Sequence, residues 1–113
     1  MREILYDAAA HYRRGRELAD SGATREALDA WHEAIRDLHA VRPQRMRDVL
    51  LAQVYLACHA VSRHDDPRKA EASLRTGYSY ARTTREPSVR QLAEQLWAEH
   101  LAGSGTPGDR SAS

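Results

Sequence analysis

The side chains of this 113-residue chain with the most chemical reach are one cysteine and a scatter of histidines, with acidic residues close to some of them. Cys58 has the type of a nucleophile, but it stands in a helical stripe formed by Met46, Leu50, Val54, Ala57, Cys58 and Val61. A small side chain facing a fourth helix is what packing needs there. A lone cysteine also excludes an internal disulfide and a multi-cysteine zinc site. His32-Glu33 followed by His39 has the composition of a metalloprotease helix, but the histidines are seven apart, not at the i, i+4 spacing that puts two ligands on one face. His59, His64, Asp65 and Asp66 straddle a predicted helix end, where aspartate acts as a cap. The sequence has no Gly-rich phosphate loop and no carboxylate pair in apolar surroundings. The expectation is therefore a protein that is not an enzyme, with no catalytic residue, metal or cofactor.

Charge points the same way. Seventeen basic and sixteen acidic residues leave a formal charge of +1, spread along the chain. No whole-molecule field favours nucleic acid or an anionic membrane. Arg13, Arg14 and Arg16 form one basic cluster and Arg42, Arg45 and Arg47 another, diluted by Glu17, Asp20 and Asp48. An Arg-rich helical regulatory subunit contacting nucleic-acid phosphates is the alternative that these clusters allow. No run of roughly 18 apolar residues is present and MREILYD is charged at once, so neither a membrane span nor a secretory leader is expected. The expected compartment is the cytoplasm. Abundant arginine, alanine and aspartate accord with a GC-rich bacterial genome.

Five helices must position whatever surface does the work. Ile4, Leu5, Ala8, Tyr12, Gly15, Leu18 and Ala19 recur at three- and four-residue steps in the first, which stops at Ser21-Gly22. Thr24 is a candidate N-cap for a second helix bearing Ala27, Leu28, Trp31, Ala34, Ile35 and Leu38, and the short turn makes the pair antiparallel. Pro43 is expected in the first turn of the central helix, which is apolar on nearly every side: Leu51, Tyr55 and Leu56 add a second stripe to the one through Cys58. It should be contacted from two directions, with Leu50 and Val54 enclosed between the second and fourth helices. Asp66-Pro67 opens a fourth helix reaching about Thr83, and Pro87 a fifth ending at Gly103. This divides the chain into a helical domain over 1–102 and a tail over 103–113 with almost nothing apolar to bury, expected to be disordered.

The chain also repeats itself. An offset of 43 residues places Ala9 on Ala52, Tyr12 on Tyr55, Arg16 on His59, Ala27 on Ala70, Trp31 on Leu74 and Ala34 on Gly77. Small residues fall on small and large on large. In the first copy Gly15, Gly22, Ala27, Trp31 and Ala34 follow the small and large pattern of tetratricopeptide repeats, and the chain resembles that family over residues 8–40 and, with Cys58 and Asp65 at the glycine positions, over 51–83.

The resemblance implies an all-α, right-handed array of two antiparallel hairpins plus a C-terminal capping helix. It also implies a protein or peptide interaction module whose concave face takes a partner segment. Carried over, the peptide-binding positions are Ala9, Tyr12 and Arg16 in one copy and Ala52, Tyr55 and His59 in the other. Tyrosine supplies contact area there and Arg16 a donor for a carboxylate. The last helix leaves Leu92, Trp97 and Leu101 without a following helix to cover them, which makes a homodimer through that helix a further expectation.

Overall fold

Gly22, at φ 89°, ends the first helix as expected, and a short turn sends the chain back on itself. In the computed structural model, residues 2–112 are described, with side chains described from 2 to 103. They form five α-helices, α1 (Arg2–Asp20), α2 (Thr24–His39), α3 (Arg45–Ser62), α4 (Pro67–Thr84) and α5 (Pro87–Ala112), and no strand among the described residues. The tail expected over 103–113 lies almost wholly outside the side chains described, and the backbone of α5 runs on past the end expected at Gly103.

The helix starts follow the sequence unevenly. Asp66 caps α4, its carboxylate accepting from the Lys69 N–H at 3.3 Å, with Pro67 in the first turn, and α5 opens at Pro87. Thr24 is not a cap: Ala23 precedes the helix with no side-chain bond, and Thr24 is already helical. Pro43 does not open α3 either, because Gln44 is fully extended at φ −157° and the helix begins at Arg45. The intervening loop is held by Arg47, whose Nη1 donates to the Val41 carbonyl at 3.0 Å, and Val41 is buried while Met46 is half exposed. At the end of α4 the chain turns through Arg85 at φ 61°, a left-handed position occupied here by a non-glycine residue.

Antiparallel pairing is visible in the contacts. Gly15 faces Trp31 and His11 reaches Asp37 at 3.8 Å across α1 and α2. Leu56 faces Gly77, and His59 meets the Ala70 carbonyl, across α3 and α4. Tyr78 meets Trp97, with ring centroids 5.3 Å apart, across α4 and α5. Among the described residues the backbone of α2 comes close only to α1 and α3, and that of α4 only to α3 and α5, so α1, α3 and α5 form one layer and α2 and α4 another.

The helix α3 is the middle element, contacted from two sides. Leu50, Leu51, Val54 and Cys58 join the α1 and α2 core of Ala8, Ala27, Trp31, Ala34 and Leu38. Val49, Ala52 and Leu56 join Leu74 and Ala81 of α4 and Val89, Ala93 and Leu96 of α5. Leu50 and Val54 are buried as expected, but the core they join is that of α1 and α2 and not a layer between the second and fourth helices. Cys58 likewise belongs to the α1 and α2 core, with a floor position beside α4.

The helix α5 repeats the role of α3. Leu51, Val54, Tyr55 and Cys58 face the first hairpin, and forty-two positions on, Ala93, Leu96, Trp97 and His100 face the second. The other side of α3, which α4 covers, is apolar. Its counterpart on α5, Gln91, Glu94 and Ala98, is exposed and largely polar.

Candidate functional site

The layer of α1, α3 and α5 encloses a groove of about 320 Å³. Its floor comes from α3, where Ala57 and Ala60 are short enough to give it depth, and Leu92 and Leu96 of α5 form one wall. Tyr12, Arg16, Ala19 and Asp20 of α1 form the other. Polar groups stand at the edges. The Arg16 guanidinium lies 5.8 Å from the centre of the Tyr12 ring and has no carboxylate within ion-pair distance among the described residues.

The structure divides the six positions expected to bind a peptide. Tyr12 and Arg16 line the groove, and Ala9, one turn earlier on α1, is half-buried against the core. Ala52 is fully buried and His59 is 3% exposed, so neither offers surface to a partner. The Nδ1–H of His59 donates to the Ala70 carbonyl at 2.9 Å, and burial holds its imidazole below the usual value, helped by Arg63 and His100 and opposed by the Ala70 carbonyl and Glu99. Tyr55 is turned out of the groove. Its ring stacks on Tyr80 of α4 at 6.1 Å and its hydroxyl meets His39 Nε2 of α2 at 3.1 Å. Burial first, then Tyr80, raises its phenol above the ordinary value.

The reason is a change of register. Groove residues of α3 (Gln53, Ala57, Ala60 and Val61) follow those of α1 (Tyr12, Arg16, Ala19 and Asp20) by forty-one positions, whereas buried residues of α4 follow those of α2 by forty-three. Two residues turn a helical face by about 200°, which carries Tyr55 almost to the opposite side from Tyr12. Gln53, Ala57 and Ala60 therefore replace Ala52, Tyr55 and His59 as the α3 contribution. The available signal was Gln53 itself, an amide interrupting an otherwise apolar and aromatic run.

Other chemistry-bearing groups have structural partners. Burial pushes the Cys58 thiol up to about 12, which keeps it protonated and unreactive. Arg45 Nε donates to the Thr84 carbonyl at 2.9 Å and Nη2 reaches Glu86 at 3.5 Å; Arg47 pairs with Asp48 at 3.1 Å and lies 6.0 Å from the Tyr80 ring. Two members of the second basic cluster thus fasten loops together. On α5, Leu92 and Leu101 are 40% and 53% exposed, but Trp97 turns against α4, so the three do not form one face. No described helix is long and apolar enough to cross a membrane. No family model, curated protein or solved structure matches the chain.

Proposed function

We propose that the chain is a tetratricopeptide-like interaction module that takes a segment of a protein partner in the groove between α1, α3 and α5. The observation that carries this reading is the groove's build: an apolar floor and wall (Ala57, Ala60, Leu92, Leu96) edged by Arg16, Asp20 and Gln53. Apolar contact with a few placed polar groups is how helical grooves hold an amphipathic segment. The order of packing, each hairpin followed by a helix standing on both its members, supports a stacked array of hairpins, whose right hand is what the resemblance implies. An unpaired Arg16 suits a carboxylate on the bound segment, and Tyr12 beneath it suits an apolar side chain. Leu92 and Leu101 stand nine residues apart on α5, about half a turn round the helix, so a homodimer through α5 would use one or the other, and one through Leu92 would compete with a partner for the groove. Nucleic-acid contact through Arg42, Arg45 and Arg47 loses support, because Arg45 and Arg47 already hold the protein's own carbonyls and carboxylates.

Selection of peptides from a displayed library on the intact protein, followed by binding to variants, tests the reading. Ala60→Trp fills the groove from an exposed position and should weaken the selected peptides by at least about tenfold, roughly 1.4 kcal/mol, while Arg90→Ala, outside the groove, should not. Peptides that bind the Ala60→Trp protein unchanged place the site elsewhere.

A further inference from the structure

A second cleft, of about 520 Å³, lies between α4 and α5 and shares no residue with the groove. Its origin is in the repeat. At the preceding junction the ring of Tyr55 is covered by Tyr80 of α4 and His39 of α2. Trp97, forty-two positions later, sits against Tyr78 and Arg75 of α4, but the polar outer side of α5 brings no further helix among the described residues, and the space stays open.

What lines it is not the apolar surface of a missing core. The walls are Arg75, Tyr78, Ser79, Arg82, Thr83 and Trp97, with no carboxylate. Arg75 is fixed in place: Glu71 accepts from its Nε at 3.0 Å and its Nη2 at 2.8 Å, and its guanidinium lies 5.5 Å from the centre of the Trp97 ring. His100 Nε2 lies 3.6 Å from the other oxygen of Glu71, so that carboxylate is engaged on both sides. Thr83 donates its hydroxyl proton to the Tyr80 carbonyl. Arg82 and Ser79 are different, since neither has a hydrogen-bond or ion-pair partner among the described residues. Spaced three apart, they project from one face of α4 into the same cleft.

We propose that this cleft binds a small phosphate monoester carrying a planar ring, with the phosphate at Arg82 and Ser79 and the ring against Trp97 and Tyr78. A guanidinium and a hydroxyl supply charge-assisted donors to phosphate oxygens. Two aromatic side chains supply a surface for the ring. The volume lies within the range of about 300–1,000 Å³ that small-molecule sites occupy. This chemistry is shared by a mononucleotide and by a phosphotyrosine side chain.

Titration followed by the two indole N–H resonances tests it, because Trp31 is sealed in the core and serves as an internal reference. The probes are adenosine monophosphate, phosphotyrosine, adenosine and inorganic phosphate. One or both ring phosphates should move the Trp97 signal and leave Trp31 still, with a Kd at least about tenfold below that of adenosine or phosphate alone. The tighter of the two identifies the source. Arg82→Glu, at an exposed position, should abolish the shift with an unchanged melting curve. The proposal is overturned if neither ring phosphate moves Trp97 up to about 5 mM, if they bind no tighter than their separate parts, or if the Arg82→Glu protein responds like the wild type.

Discussion

Gly15 of α1 lies directly under the indole of Trp31 of α2, and the indole N–H donates to the Tyr12 carbonyl at 3.1 Å. The second hairpin reverses this arrangement: the large residue is Leu56 on its first helix and the glycine is Gly77 on its second. In both, one missing side chain lets two helices approach closely, but the helix that supplies the gap changes.

That reversal predicts unequal costs for the same substitution. A Cβ at Gly15 would run into Nε1 of a rigid, 2%-exposed indole and lie 2.6–2.7 Å from its Cδ1 and Cε2, so Gly15→Ala should destabilise by about 1–3 kcal/mol despite alanine's better helix propensity. At Gly77 the contacts are 3.0–3.1 Å, to the Leu56 branch and to Tyr55 Cβ, and a gain of about 1 kcal/mol in propensity offsets most of the strain. Gly77→Ala should therefore change stability by less than about 1 kcal/mol in urea unfolding.

The two-sided burial of α3 predicts a large effect from its centre. Leu51 is fully buried in the first core, and Leu51→Ala should cost about 2–5 kcal/mol, a sizeable part of a small domain's margin. Leu50→Asp should leave the chain unfolded, because a carboxylate at a position 8% exposed finds no partner among the Ala, Leu and Val side chains of that core. Circular dichroism melts of both variants check this.

His59 predicts a direction in pH. Its neutral form is favoured in the folded state, so above 6.5 both states are neutral and the stability is fully present. As pH falls below 6.5 the unfolded chain takes up a proton more readily than the folded one, and stability declines until the folded imidazole also titrates. His59→Asn keeps a donor near the Ala70 carbonyl and should flatten this part of the profile in melts between about pH 5 and 8.

Arg85 predicts a gain. Its backbone is left-handed at the end of α4 and its side chain is exposed, so Arg85→Gly should stabilise the protein by about 0.5–1 kcal/mol. Thermal unfolding of that single variant decides it.

Cys58 should resist labelling. With its thiol held protonated and 3% exposed, modification by a thiol reagent should be slow in the native protein and rapid once urea unfolds it. Rapid labelling without unfolding would remove the packing role assigned to this residue.

The sequence by itself determined the five helices, most of their ends and the identity of the middle one, because those depend on local signals: Gly22 and Asp66-Pro67 act within a turn, and a helix apolar on two sides must be covered on two. It also showed that Ala27, Trp31 and Ala34 recur as Ala70, Leu74 and Gly77, all of which the structure buries. What only the tertiary structure decided is the rotation of α3. An amphipathic helix such as α1 states which side faces inward, but α3 is apolar nearly all round, and its periodicity is compatible with either Tyr55 or Gln53 turned toward the groove. The choice is made by Leu56 entering the space above Gly77, which sends Tyr55 to Tyr80, buries His59 against Ala70, and leaves Gln53, Ala57 and Ala60 to line the groove with Tyr12 and Arg16. Side chains distant in the sequence compete for one gap there, and local periodicity carries no record of which one wins.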